Sequence, residues 1–84
     1  MKEPKYSVDW DVIEEIAILH ESQAGWTKEL NIISWNGDEP KYDVRWWNAD
    51  KSRLGKGFTF TAEELSKLKE IIDTKIPNLL NRNR

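Results

Sequence analysis

Cysteine is absent from this 84-residue sequence, and histidine occurs once, at His20. Without thiols there is no disulfide framework, no thiolate metal site and no cysteine nucleophile. A single imidazole has no second ligand at metal-binding spacing, so no metal and no cofactor are expected. No apolar run approaches the ~20 residues needed to cross a bilayer. The first twenty residues are interrupted by Lys2, Glu3, Lys5, Asp9, Asp11, Glu14 and Glu15, which excludes a signal-peptide core there and makes the cytoplasm the expected compartment. Catalytic signatures are missing as well. Gly55-Lys56-Gly57 has no strand-to-helix context for a phosphate loop, and no nucleophile elbow is present. Glu14 and Glu15 are neighbours on a predicted strand, so they face apart and cannot work as an acid/base pair. The expectation is a protein that is not an enzyme and takes no small-molecule substrate.

Tryptophan, by contrast, is abundant, with five residues, and charge of both signs is spread unevenly. The net charge of −2 argues by itself against nucleic acid. Residues 1–29, however, carry three basic and seven acidic side chains, whereas residues 41–56 carry five basic and two acidic ones. The mean conceals a basic segment among aromatics. It reads KYDVRWWNADKSRLGKG over 41–57, with Trp46 and Trp47 adjacent. In a strand, successive side chains point to opposite faces, so these two rings cannot share one core.

The chain reads as a single domain, 1–84, of the α+β class. A domain of this size buries only roughly 60% of its unfolded surface, so a second subunit would help it. Polar residues around Pro4 make 1–10 a loose N-terminal arm, with Trp10 tacked onto the fold. Four β-rich segments then make up an antiparallel sheet over 12–61: DVIEEIAILHES, WTKELNIISW, KYDVRWWN and KGFTFT. Thr61 with Glu64 forms a capping box, opening a helix over 62–76 that Pro77 stops. Residues 77–84 are a basic tail. The predicted order is ββββα. Along the helix, Leu65, Leu68, Ile72, Ile76 and Leu79 follow 3-4-4-3 spacing, and Ile71 widens the stripe beyond what one thin sheet covers. That excess predicts a homodimer.

A loop over 36–40 pairs Trp35 with Lys41, Ile33 with Asp43, Asn31 with Arg45 and Glu29 with Trp47. A two-residue turn would instead force Pro40 into the ladder, where it has no donor. In the preferred register Leu30, Ile32, Tyr42, Val44 and Trp46 form the core face. Trp35, Lys41, Arg45 and Trp47 share the other, solvent-facing side, where rings can stack bases and cations can neutralise phosphates. Lys51, Arg53 and Lys56 in the following loop extend the basic character. Asp43 beside Arg45 is read as positioning its guanidinium. Trp10 and Trp26 are read as structural aromatics, and His20 has no assigned role. The rival reading uses the same Trp/Arg surface to bind protein, as a peptide or subunit hot spot; a carbohydrate platform is a distant third.

The run ELNIISWNGDEPKYDVRWWNADKSRLGKGFTFTAEEL resembles the single-stranded-DNA-binding domain of the transcriptional positive cofactor four family, and more closely its bacterial YdbC-type branch. The motifs SWNG, KYDVRWW and GKGFTFT and the EEL helix carry the resemblance, which extends over about 12–76. It implies a homodimer with a curved four-stranded antiparallel sheet and a C-terminal helix in each subunit. It also implies single-stranded DNA in the sheet groove, with RNA as the alternative ligand, contacted by Trp35, Arg45, Trp47 and Lys56. A nucleoid-associated role in transcription regulation or DNA maintenance fits that ligand. Asp38 and Glu39 stand where eukaryotic members carry lysines.

Overall fold

The structure, a computed structural model, describes residues 9–75. The tail over 77–84, most of the N-terminal arm, and Ile76 and Leu79 of the helix stripe lie outside the described residues. Four antiparallel strands run in order of sequence, β1 (Trp10–Glu21), β2 (Thr27–Trp35), β3 (Lys41–Trp47) and β4 (Leu54–Phe60), followed by helix α1 (Ala62–Thr74). This is the predicted ββββα order. The capping box forms in full: Thr61 Oγ1 accepts from the Glu64 backbone N–H at 3.0 Å, and Glu64 Oε1 accepts from the Thr61 N–H at 2.9 Å. Two of the four donors that a helix start leaves unpaired are thereby satisfied.

The β2–β3 connection departs from the expected register by two residues. Asn36 and Gly37 both take positive φ, 53° and 79°, and the Asp38 N–H donates to Trp35 O at 2.8 Å. This is the two-residue turn that Asn-Gly favours. The ladder nevertheless begins only at Ile33 opposite Lys41, followed by Asn31 opposite Asp43, Glu29 opposite Arg45 and Thr27 opposite Trp47. With Trp35 opposite Asp38, Glu39 and Pro40 supply one more residue than Ser34 can match, and the Ser34 hydroxyl donates to Asp38 O at 2.7 Å across the gap. The extra residue leaves Pro40 outside the ladder, so both constraints are met. A shift of two preserves parity, and each side chain stays on its predicted face.

Strand β1 begins one residue inside the expected arm: Trp10 pairs with Trp35. The strand carries irregularities between Val12 and Glu14, Glu15 and Ala17, and Ile18 and His20. Its faces therefore repeat every three residues, with Trp10, Val12, Glu15 and Ile18 on the side of Arg45 and Glu14, Ala17 and His20 on the side of Val44. Such bulges bend a strand. The sheet curls accordingly. Trp10 and Trp47 stand at rungs eight β2 residues apart, which is roughly 26 Å in a flat sheet, yet their ring centroids are 5.8 Å apart at 64°. The Arg45 face is concave.

Curvature inverts the expected burial of the two faces. Trp47 is 1% exposed, Ile33 and Asp43 0%, and Glu29 and Asn31 2%. All five lie on the Arg45 face, which was expected to be open. Trp46, expected in the core, is only half-buried on the convex Val44 face, between the His20 ring and the Lys28 ammonium. Side chains on a concave face converge and cover one another; those on a convex face splay apart and need a second layer. Helix α1 supplies little of that layer. It touches β3 and β4 at the Tyr42 end and buries none of its own residues.

The glycine of GKGF is required by packing. A side chain at Gly57 would overlap the Val44 carbonyl and the Arg45 backbone, because β4 crosses β3 closely at this rung. That approach brings β4 over the guanidinium-bearing segment.

Candidate nucleic-acid interface

Arg45 is the organising side chain of the concave face. Its Nε donates to Asp43 Oδ1 at 2.7 Å and one terminal nitrogen donates to Asp43 Oδ2 at 2.8 Å, a bidentate pair on a carboxylate with no solvent exposure. The other terminal nitrogen donates to Gly55 O at 3.2 Å. Thr59 Oγ1 donates to the same Asp43 carboxylate at 3.1 Å. The guanidinium carbon lies 4.8 Å from the centre of the Trp35 ring, a distance at which the ring quadrupole attracts a cation. Asp43 thus positions the guanidinium, as its spacing suggested, and also neutralises it.

Lys51 is neutralised in the same way. Its ammonium lies 3.0 Å from Glu29 and 3.6 Å from Glu15, and its backbone takes a left-handed φ of 62°. That conformation is unfavourable for a residue with a Cβ. Burial works against the ionised form of Glu29. Hydrogen bonds from Thr27, Lys51 and Asn31, together with the Lys51 charge, outweigh it and hold the Glu29 pKa below its ordinary value. The hydrogen bond to Glu29 raises the Lys51 pKa against its own partial burial. Two of the cations read from the sequence as phosphate contacts, Arg45 and Lys51, are each committed to a buried carboxylate. Three buried polar atoms here have no partner among the described residues: Asn31 Oδ1, Trp35 Nε1 and Trp47 Nε1.

The remaining residues divide between locations. Lys41 is exposed on the Arg45 face, one rung from the Trp10–Trp35 pair, and has no ion-pair partner among the described residues. Arg53 is exposed at the end of the β3–β4 loop, where its N–H donates to Asn48 Oδ1 at 2.9 Å. Lys56 belongs elsewhere. With Lys28, Val44, Arg45, Trp46, Gly57 and Phe58 it lines a cavity of about 570 Å³, and the pairing of Phe58 with Val44 places the Lys56 side chain on the convex face. The structure therefore brings Trp35, Lys41, Arg45, Trp47 and Lys51 together and separates Lys56 from them. Trp47, expected as an open stacking platform, is covered by Trp10.

Sequence reasoning missed Lys28, whose ammonium sits 5.0 Å from the Trp46 ring centre beside Lys56. Strand parity signalled it, since Lys28 shares the parity of Leu30 and Ile32. It also missed Glu29 as the partner of Lys51, a pairing 22 residues apart that no local pattern encodes.

The sequence profile of the family described as Transcriptional Coactivator p15 (PC4) matches residues 22–71, which contain β2, β3, β4 and most of α1. An uncharacterised protein of Treponema pallidum (strain Nichols) is 42% identical over 65 residues, covering 77% of this chain and 76% of that protein.

Proposed function

The chain belongs to the Transcriptional Coactivator p15 (PC4) family, and we propose that it is a non-enzymatic, dimeric binder of single-stranded DNA with little sequence preference. The family is known for single-stranded DNA binding and transcription coactivation. The observation that carries the reading is the concave Arg45 face, where the Trp35 ring lies against a positioned guanidinium and Lys41, one rung away, has no ion-pair partner among the described residues. Aromatic rings stack any base, and an ammonium in reach of the backbone neutralises phosphate without reading sequence. Trp35, Arg45 and Lys41 form the contact surface, with Arg53 extending its basic margin at the end of the β3–β4 loop, while Lys56 lies on the opposite face of the sheet. Trp47 supports that surface from beneath, and Lys51 ties the loop to the groove wall. The compartment proposed is the cytoplasm, with the nucleoid as the place of work, and the YdbC-type branch is the proposed position within the family.

Dimerisation is proposed through the convex face and α1. Phe58 on the convex face is 71% exposed, and Ile72 and Leu68 on α1 are 45% and 41% exposed. Apolar exposure on this scale marks an interaction surface. Sedimentation at tens of micromolar that finds only the monomer mass would refute it.

The function is tested by titrating the intrinsic tryptophan fluorescence with oligo-dT, oligo-rU and duplex DNA. Quenching by oligo-dT but not by the duplex supports the reading, and equal response to oligo-rU widens it to RNA. No response to any of the three favours the protein-binding alternative for the same surface.

A further inference from the structure

We infer that Trp10 is a third stacking aromatic of the nucleic-acid interface, and that it takes the part the sequence assigns to Trp47. The inference rests on the single-strand reading above and names a residue that this reading does not use. Trp10 pairs across the ladder with Trp35, so the two rings rise from one rung of the concave face. Strand β1 is anchored there by two hydrogen bonds to the hairpin tip: Asp9 N–H to Asn36 Oδ1 at 2.9 Å and Asn36 N–H to Asp9 O at 2.8 Å. Curvature then carries the Trp10 ring over to Trp47.

The geometry of that contact decides which indole meets a ligand. The rings meet at 64°, edge against face, so the contact engages one face of one ring and not the faces of both, as a parallel stack would. Trp47 keeps 1% of its surface, while Trp10 remains half-open. The accessible indole of the pair is therefore Trp10. The next rung in the direction of β3 is Val12, Ile33 and Lys41, about 7 Å along the strands. A base on Trp10 would have its phosphate side toward an ammonium that has no ion-pair partner among the described residues. The other two cations of this face are neutralised by Asp43 and Glu29. The Trp10–Trp35 rung is thus the place on the concave face where open aromatic surface and uncommitted positive charge coincide. A single-stranded nucleotide, planar and anionic, has that combination of demands.

The test uses the full chain and three substitutions, Trp10→Ala, Trp10→Leu and Trp10→Phe, with binding read by anisotropy of a labelled oligo-dT and stability by thermal melting of the same samples. Trp10→Leu retains an apolar cover for Trp47 but has no π face; Trp10→Phe retains both. The expected result is that Leu restores the melting temperature lost in Ala but not the affinity, which stays roughly five- to hundredfold weaker than wild type. Phe restores most of both. The slope of log affinity against log salt stays parallel to wild type in all three, because stacking releases no counterions. Equal affinity of Leu, Phe and wild type would reduce Trp10 to packing and overturn the inference, as would tighter binding by Trp10→Ala, which would make the ring a cover. Absence of oligo-dT binding by the wild type would overturn the functional reading itself, and this inference with it.

Discussion

Replacing Trp47 by alanine should unfold much of this protein, while replacing its neighbour Trp46 should not. Trp47 is 1% exposed and meets Trp10 edge to face. Removing a buried indole costs about 3–5 kcal/mol when the surroundings relax only in part, and loss of the aromatic pair adds about 1 kcal/mol. A domain of this length is stable by only about 4–13 kcal/mol. Trp46 is half-open, and its specific contacts are the His20 edge at 6.0 Å and the Lys28 ammonium at 5.0 Å. Such a cation contact is worth about 0.5–1 kcal/mol near the surface, so with partial burial Trp46→Ala should cost roughly 1–2 kcal/mol. Urea unfolding followed by circular dichroism measures both. At a slope of about 1.5 kcal/mol per molar, the midpoint should fall by roughly 3–4 M for Trp47→Ala and by about 1 M for Trp46→Ala. Two protein concentrations separate the contribution of a second subunit, which moves the midpoint by mass action. If Trp46→Ala proves the more damaging at both concentrations, the concave face is not the one that buries its side chains, and the argument from curvature fails.

Lys51→Met leaves Glu29, which is 2% exposed, without its counterion. Breaking a buried pair costs about 3–5 kcal/mol, which the 40% exposure of Lys51 reduces to roughly 1–2 kcal/mol, visible as an earlier thermal transition. The depressed pKa of Glu29 gives stability that is present above its ordinary value of 4.5 and lost as pH falls through the lower folded value. Melting from pH ~6 to pH ~3 should therefore show a flatter acid limb for Glu29→Gln than for wild type, and identical acid limbs would contradict the assignment. Gly57→Ala should push β4 off β3 and cost about 3 kcal/mol or more, because the added carbon meets backbone that cannot yield; retention of the wild-type melting temperature would show that the strands are not so close. With Arg45 and Lys51 already paired and Lys56 on the opposite face, oligo-dT binding should draw mainly on Lys41 and Arg53, giving a log–log salt slope of about −1 to −2. A slope of about −3 or steeper would mean that the buried pairs open to bind phosphate.

Element order and side-chain parity were legible in the sequence because both are local. Thr61 and Glu64 sit three residues apart and close their box within one turn, so the helix start could be read directly. The loop read over 36–40 set aside the Asn36-Gly37 turn that does form, but the rule that keeps Pro40 out of the ladder held, and the resulting error in register was an even two residues, so parity survived. Alternation alone therefore places Trp35, Lys41 and Arg45 together on one face. Which face is buried was not legible, because it depends on the curvature of the whole sheet. The three irregularities of β1 replace a two-residue period with a three-residue one, so the apolar pattern of that strand carried no usable alternation, and the bend they produce joins Trp10 to Trp47 across eight residues of β2. Charge counting placed five cations in 41–56 but could not show that Asp43 and Glu29 cancel two of them, since a buried carboxylate finds its partner through space and Glu29 lies 22 residues from Lys51. Residue types and their alternation set the chemistry available on each side of the sheet. Long-range curvature set which side closes on itself and which of its charges stay free.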